Sequence, residues 1–542
     1  MKHNIFCSIG LIILFSGLLT GCDSMLSEIP SKQQEIIPTK IAHLEGLIPE
    51  RTTQGGDYYS AMFMSDEVGY LDGLVRNQAS AFNNYNFVYG NLVLTWQMDD
   101  YSAICENGYG ACWSSAYNAI YYCNVILLYI DEIDGTAEEK NRLKGDAYFD
   151  RALQHFELLK AYTVPYSKLV GNKSDLGICL RDNINLVNLP ERSTIEESYQ
   201  FILDDLQRAL ECLASQPMTM SSVGTIAQWR ASEASVNALY ARVYLRYGDF
   251  AKAQEHAQKA LEKANLAHLV DYNDSSEMRY SNMPKTVTIY NEANTPEKVV
   301  VNFPVTSESG YGTYTWPERI LKIGTGSYSS SYAFLTPSES LTAVYGSSEA
   351  SRQEDLRWKY YMPENYSYSV GNPYLGTKEA GGALKMAGYA GQYDIGPSIP
   401  EMILIKAECQ ARLGFISEAA QTVNELRKKR ISNQAGSDRI NLSFKDKDDA
   451  IKQILDERRR EFPFLDRWFC MSRIAGYGEY NYLPTEIIHD YYECTGTTVD
   501  LTSHKSYSFK PQTDYKKFAL PIPTESIKQA KAFNVTIIQN TY

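Results

Sequence analysis

Residues 238–261 read ALYARVYLRYGDFAKAQEHAQKAL and indicate how this chain folds. Alanines recur at three- and four-residue steps on both sides of Gly248-Asp249, which is typical of two helices that cross closely. Glycine readily ends a helix because it adopts the left-handed conformation, and Phe250 then packs back at the turn. We therefore predict two helices over Ala234–Ala264, joined at Gly248-Asp249.

A second copy of this pattern lies downstream, over Ile405–Leu426, with Gly414-Phe415 at the turn. Both copies resemble a tetratricopeptide (TPR) unit, a helical hairpin that stacks on its neighbours. Because the turn glycines 248 and 414 are 166 residues apart, the copies are not in tandem, and a large insert separates them.

Other segments share this helical periodicity. Apolar residues from Trp113 onward, a capping pair Thr136 and Glu139, and the stretch Ser193–Leu213 predict helices ahead of the first hairpin. A further helix over Asp448–Phe462 ends in ERRRE, which reads as a face of paired charges rather than an anion site. The predicted TPR-like units lie near 113–165, 193–266 and 398–430.

The insert, about 268–398, has a different composition. It is rich in Ser, Gly, Asn and Pro, and it holds 15 of the chain's 41 tyrosines. Short alternating runs such as Val299–Phe303 predict strands. Long loops on a rigid scaffold often carry function, so we interpret the insert as a variable ligand-binding region; a solvated decoration without a ligand is the alternative.

The amino terminus has the layout of an export signal. Lys2 precedes an apolar run, Ile9–Leu19, that is too short to span a bilayer. The run LTGC that ends at Cys22 resembles the lipobox of bacterial lipoproteins, whose cysteine is acylated; an ordinary signal with a chance cysteine is the alternative. The lipobox reading implies a signal peptide over 1–21, lipidation at Cys22, a tether over 22–45 and a single domain over 46–542.

Composition narrows the classes of partner. Hydrophobic residues make up 44% of the 542-residue chain and charged residues 22%, as in ordinary soluble domains. The formal net charge is −13, or −14 once Lys2 leaves with the signal peptide. This balance argues against nucleic acid and against anionic lipid head groups, because both require a basic surface.

Eight cysteines remain beyond Cys22. Four lie in apolar helical stretches and read as buried thiols: Cys123, Cys212, Cys409 and Cys470. Cys105 and Cys112 flank a Gly-rich loop, where a disulfide or two thiols are both open. None lies at zinc-ligand spacing with histidine, and we predict no metal and no cofactor.

Several sequence blocks follow one another in a recognisable order. They are Gly145–Pro165, Arg192–Ala209, Arg230–Leu245, Asp355–Arg357, Ala407–Arg430, Glu457–Arg473 and the ending Leu520–Tyr542. Together they resemble the SusD/RagB family of outer-membrane nutrient-binding lipoproteins. Two departures fall at scaffold positions: Phe464–Met471 lacks the glycine of the family's EGxRWFDL block, and Asn540-Thr541-Tyr542 replaces its NPGY ending.

The resemblance implies a mainly α, SusD-like fold, with TPR-like helix pairs as scaffold and a loop-rich insertion with short strands. It implies a cell-surface lipoprotein of the outer membrane that captures an oligo- or polysaccharide and delivers it to a TonB-dependent SusC-like transporter. A structural lid of the transporter and a peptide-binding RagB-like member are the alternatives. A surface hydrolase is disfavoured, because GxSxG, HExxH and phosphate-loop motifs are absent from the sequence.

A sugar site needs aromatic faces for C–H patches and polar groups for hydroxyls. Four tryptophans lie on apolar faces or in scaffold blocks and are predicted to be core: Trp113, Trp229, Trp358 and Trp468. The predicted ligand site comprises the other two tryptophans and their neighbours: Trp96, Asp99, Tyr311, Tyr314 and Trp316. Half-buried packing is the alternative for each of these two tryptophans, and Asp99-Asp100 reads as a surface doublet rather than a catalytic pair.

Overall fold

The computed structural model is mainly helical, as predicted. It describes residues 38–48, 61–70, 91–99, 111–185, 190–218, 230–274, 285–290, 296–301, 317–323, 335–361, 395–464, 466–495 and 498–542. The helices are α1 Ile41–Glu45, α2 Ala111–Tyr129, α3 Ala137–Tyr162, α4 Ile195–Leu213, α5 Glu233–Tyr247, α6 Phe250–Lys263, α7 Glu339–Tyr345, α8 Glu349–Gln353, α9 Leu356–Tyr361, α10 Ile399–Leu413, α11 Ile416–Arg430, α12 Ser437–Ile440, α13 Lys447–Glu461, α14 Arg467–Gly476 and α15 Thr524–Ala532. The strands are β1 Val68–Tyr70, β2 Leu176–Cys179, β3 Arg192–Thr194, β4 Lys285–Tyr290, β5 Pro296–Val301, β6 Leu335–Pro337, β7 Ile487–Thr495 and β8 Thr498–Phe509. Among the helices of these ranges, none combines the length and apolar character that crossing a bilayer requires.

The two predicted hairpins are present at the centre of the scaffold. α5 and α6 turn at Gly248, and α10 and α11 turn at Gly414, with left-handed φ angles of +86° and +92°. α6 packs against α10, so the two hairpins stack although a long insert separates them. The TPR-like pairing read from the alanine spacing is therefore confirmed.

Replacing each turn glycine by alanine is expected to separate the cost of a strained left-handed backbone from the cost of a steric contact at the new Cβ. Gly414→Ala should lower the free energy of unfolding by about 1–2 kcal/mol, because only the left-handed backbone is strained there. A Cβ at Gly414 meets no atom within 4 Å, whereas one at Gly248 lies 3.1 Å from Leu169 Cγ. Gly248→Ala should therefore lose more stability. Urea unfolding of both variants measures the difference, and a smaller loss at Gly248 would contradict this account.

The amino-terminal helices form a second layer in which α3 packs against both α2 and α4. Capping boxes begin two of them, and the sequence predicts the first. The Thr136 hydroxyl caps α3 by accepting from the Glu139 N–H, and the Thr194 hydroxyl accepts from the Glu197 N–H at the start of α4. These caps fix where the chain enters the layer that carries the cleft described below.

The strands of the described ranges pair as four two-stranded antiparallel sheets: β1 with β6, β2 with β3, β4 with β5, and β7 with β8. β5 confirms the strand predicted near residue 299 in the insert. The pairing of β1 with β6 fastens residues 68–70 to residues 335–337 of the insert. The fold thus attaches the insert to an early part of the chain as well as to the helices.

α1 corrects one predicted boundary. Leu44 is fully buried and packs in a small core with Ile126, Ile130 and Leu143 of the α2–α3 region. The tether predicted over 22–45 therefore does not extend through α1, because this helix belongs to the folded body. The predicted signal peptide and Cys22 lie outside the described residues.

Three residues of the ERRRE run on α13 are buried, Glu457, Arg458 and Glu461, and the two between them are half-buried, which the sequence pattern does not reveal. Glu457 is fully buried and pairs with Arg427 and, at 2.8 Å, with Arg357. Glu461 accepts from Arg357 at 2.9 Å and pairs with Arg430 at 3.0 Å. The predicted pairing within one helical face accounts for the Glu457–Arg460 contact at 2.8 Å and the Asp456–Arg459 contact at 4.0 Å. The other partners of Glu457 and Glu461 named above come from the insert and from α11.

Two carboxylates near the start of the described chain extend this network. Glu67 accepts from Arg459 at 2.9 Å and from the Phe464 backbone N–H at 2.6 Å. Asp66 accepts two hydrogen bonds from Arg467, at 2.6 and 2.8 Å. Residues 66–67 are thereby fixed against the segment that joins α13 to α14.

Arg192 and Asn540 fasten the carboxyl-terminal tail to β2 and α3. The Arg192 guanidinium donates to the Gly177 carbonyl at 2.8 Å, to the Ile538 carbonyl at 2.9 Å and to Asn540 Oδ1 at 2.9 Å. Asn540 in turn donates to the Tyr162 carbonyl at 2.9 Å. Three of the sequence blocks that carry the family resemblance therefore meet in space: Gly145–Pro165, Arg192–Ala209 and Leu520–Tyr542.

Three predicted core tryptophans, Trp113, Trp358 and Trp468, are buried, and Trp229 lies outside the described residues. Cys123, Cys409 and Cys470 are buried as predicted, whereas Cys212 is half-buried. Cys112 is buried, but Cys105 is outside the described residues, so both alternatives, a disulfide and two thiols, stay open.

Candidate ligand-binding site

The structure describes two of the five residues of the predicted ligand site, Trp96 and Asp99. Tyr311, Tyr314 and Trp316 lie outside the described residues, so their role stays a prediction. Immediately after them, Glu318 is buried and accepts from Arg430 at 2.6 Å and from the Val270 N–H at 2.8 Å. The described end of this part of the insert is therefore fixed to α11.

Trp96 lies in the core, which corrects its predicted role in stacking on a ligand. Its side chain is only 3% exposed, and its indole N–H donates to the Met64 carbonyl at 3.2 Å. The ring stacks on His489 at 4.4 Å between ring centres, and Phe509 lies at 5.7 Å. Asp99 is exposed, but Trp96 presents no free aromatic face beside it.

A different part of the molecule forms a cleft. It lies between α2, α3 and α4 and the loop 180–185, and it encloses about 370 Å³. Its walls include Asn124, Leu128, Tyr148, Arg151, Asp182 and Arg208. This volume is within the range of pockets that hold small ligands.

The floor of the cleft is a buried hydrogen-bonded network. Arg151 binds Asp205 through two hydrogen bonds of 2.7 Å and donates to Asn124 Oδ1 at 2.7 Å. Asn124 donates to the backbone carbonyls of Arg181 at 3.3 Å and Asn183 at 3.0 Å. Burial raises the pKa of the Asp205 carboxyl, and the Arg151 guanidinium opposes that shift. The network holds the loop 180–185 against the helices.

His155 supports the same loop from beneath. Its Nδ1 lies 2.8 Å from the Arg151 carbonyl, and its Nε2 accepts from the Arg181 N–H at 3.3 Å. Burial lowers the pKa of His155 to about 3, so the ring is neutral at physiological pH. It therefore positions the loop without adding charge to the cleft.

The rim of the cleft combines an aromatic ring with exposed polar groups. The guanidinium carbons of Arg151 and Arg208 lie 5.5 and 5.6 Å from the centre of the half-buried Tyr148 ring. The Arg208 side chain is 52% exposed, and its contact with Asp205 is a loose 3.4 Å. Asp182 is also exposed. The cleft thus offers donors, acceptors and an aromatic surface together.

Models of two known protein families match separate parts of this chain. A family model described as starch-binding and associating with the outer membrane matches residues 59–245, and a model described as the SusD family matches residues 399–542. The chain belongs to the SusD/RagB family. The first matched range of this SusD/RagB chain contains all the cleft residues, and the second contains α10 to α15.

Individual relatives are distant in sequence. A SusD-like protein, P2, from Formosa agariphila is 24% identical over 403 residues, covering 68% of this chain and 72% of the relative. A SusD-like carbohydrate binding protein from Bacteroides vulgatus has a TM-score of 0.61 at 15% identity, covering 92% of this chain and 99% of that one. Surface glycan-binding protein A from Bacteroides uniformis has a TM-score of 0.56 at 14% identity, with 92% and 99% covered. These structures confirm the SusD-like fold.

Sequence pattern alone does not reveal the cleft of this SusD/RagB protein. Arg151 and Asp205 occur within family blocks, but a polar residue on a helix reads as exposed. One signal is present: Asn124 falls on the apolar face of its predicted helix, where an amide needs a buried partner. That partner, Arg151, is 27 residues away.

Proposed function

We propose that this protein is a cell-surface glycan-binding lipoprotein, anchored through Cys22, that captures an oligo- or polysaccharide and delivers it to a TonB-dependent SusC-like outer-membrane transporter. The observation that carries the proposal is the match of two SusD-family models to two separate parts of the chain, the first described as starch-binding and associating with the outer membrane. The names of the structural relatives from B. vulgatus and B. uniformis support the same ligand class.

The geometry supports binding rather than chemistry. The cleft places a tyrosine ring beside a guanidinium and a carboxylate, the groups that cover the C–H patches and the hydroxyls of a sugar. Asp205, the buried carboxylate behind it, is held by two hydrogen bonds from Arg151, so both of its oxygens are already engaged. We therefore assign capture, without hydrolysis, as the role of this protein.

Titration of the purified full-length chain in detergent with a panel of polysaccharides tests the proposal. We expect saturable binding to at least one glycan, with no new reducing ends after prolonged incubation. Purification of the protein from outer membranes under mild conditions should also recover a TonB-dependent transporter, because delivery requires contact with it.

Three results would contradict the proposal. Release of reducing ends would indicate a hydrolase. Saturable binding of a peptide digest with no glycan bound would favour a peptide-binding member. Recovery of the transporter with no ligand of either kind would favour a structural lid.

A further inference from the structure

We infer that the α2–α4 cleft is a binding site for an uncharged sugar unit, with the ring of the sugar against Tyr148 and its hydroxyls bonded to Arg208 and Asp182. The inference rests on the proposed glycan-binding function and adds to it a location and a ligand class. Both come from the charges, donors and apolar surfaces of the described cleft residues.

Charge balance is the first argument. The opposite charges of Arg151 and Asp205 cancel in the floor of the cleft, where the two side chains are only 4% and 1% exposed. The groups that a ligand can reach are one guanidinium, Arg208, and one carboxylate, Asp182. A ligand with net charge of either sign would be attracted by one of them and repelled by the other, whereas a neutral ligand meets no repulsion.

Hydrogen-bonding capacity is the second argument. Both oxygens of Asp205 already accept from Arg151 at 2.7 Å, so the contact of Arg208 with Asp205 is a loose 3.4 Å, and the Arg208 side chain lines the cleft. A guanidinium only donates and a carboxylate only accepts, while a sugar hydroxyl does both. Neighbouring hydroxyls on one pyranose ring therefore satisfy Arg208 and Asp182 together.

Apolar surface is the third argument. Leu128 is 48% exposed at the cleft, and Leu127 and Ile184 line it beside the partly exposed Tyr148 ring. The C–H face of a pyranose packs on such a surface and releases water. Because two guanidinium groups lie against Tyr148, the ring is held in place before a ligand arrives, and binding costs little side-chain entropy.

The charge of the whole chain favours the same ligand class. A net charge of −13 repels polyanionic glycans at long range, and the cleft has no surplus of positive charge to overcome that repulsion. A neutral oligosaccharide approaches without this barrier. Local and global electrostatics therefore agree.

The test uses the full-length chain and three sets of probes: neutral oligosaccharides from starch, cellulose, mannan and xylan; oligogalacturonate; and a casein peptide digest. We expect saturable binding of a neutral oligosaccharide and none of the other two. Tyr148→Ala and Arg208→Ala should each weaken that binding roughly tenfold, the effect of losing one stacking or charged contact of about 1.4 kcal/mol. Asp182→Asn should weaken it less, because an amide still accepts one hydrogen bond.

Matched controls are Lys259→Ala and Asp204→Asn, exposed residues that do not line the cleft. They should leave binding unchanged, and thermal unfolding should show that all five variants are folded. Binding of oligogalacturonate or peptide in preference to neutral sugar would overturn the ligand class. Neutral binding that is insensitive to Tyr148→Ala and Arg208→Ala would overturn the location while leaving the proposed function intact. Binding of no probe would count against both.

Discussion

Replacement of Glu457 by glutamine is expected to lower the free energy of unfolding by about 3–5 kcal/mol, the usual cost of breaking a buried ion pair from one side. Glu457 is fully buried, and it pairs with Arg427, with Arg357 at 2.8 Å and with Arg460 at 2.8 Å. Glutamine has nearly the same shape, so packing is retained while the buried guanidinium groups lose their counter-charge. Guanidinium chloride unfolding at pH 7 measures the loss.

The pH dependence of this loss provides an internal check. Burial alone would raise the pKa of Glu457, but Arg357, Arg427 and Arg460 together hold that pKa well below its usual value near 4.5. A carboxylate with a depressed folded-state pKa contributes stability above its unfolded-state pKa, and that contribution is lost as pH falls. The difference in the free energy of unfolding between wild type and Glu457→Gln should therefore reach its maximum above pH 4.5 and shrink below that pH.

The exposed Glu211→Gln on α4 is the matched control, and its effect should stay within about 0.5 kcal/mol. A loss at Glu457 no larger than at Glu211 would show that the network contributes no net stability.

Trp96→Ala is expected to destabilise the protein by about 3–5 kcal/mol, as truncations of large buried aromatic residues do. The ring is 3% exposed, stacks on His489 and donates a hydrogen bond to the Met64 carbonyl. Alanine would leave a cavity and an unpaired carbonyl. The substitution would not relieve backbone strain, because residue 96 has a left-handed φ of +52°, which is as unfavourable for alanine as for tryptophan.

Thermal or chemical unfolding of Trp96→Ala measures this effect, with Asp99→Ala as the control, since Asp99 is exposed. We expect a large loss for the first variant and almost none for the second. Unchanged melting of Trp96→Ala together with lost glycan binding would restore the ligand-contact role predicted from the sequence.

The helices of this fold were predictable because their signals are local. The capping pair Thr136 and Glu139 is three residues apart, and the turn at Gly248 depends on a single left-handed residue. Alanine spacing on either side then predicts close helix crossing without knowledge of the partner. Such features depend on contacts within one or two helical turns, which the sequence displays directly.

The burial of Trp96 and of the ERRRE run was not predictable in this way. Trp96 stacks on His489, which lies far away in the sequence. Arg459 pairs with Glu67, which is 392 residues away. An aromatic residue beside two carboxylates and a run of charged residues such as ERRRE both read as surface when their partners are unknown. The cleft was missed for the same reason, since Asp205 is 54 residues from Arg151.

The contacts of residues 66–67 and 91–96 with the last third of the chain have a consequence for folding kinetics. Glu67 meets Phe464 across 397 residues and Asn91 meets Tyr491 across 400, so this part of the core closes only after very long loops have formed. Loop closure over such distances is slow and entropically costly. We expect the α5–α6 hairpin to gain structure early and residues 61–70 and 91–99 to become protected from hydrogen exchange last.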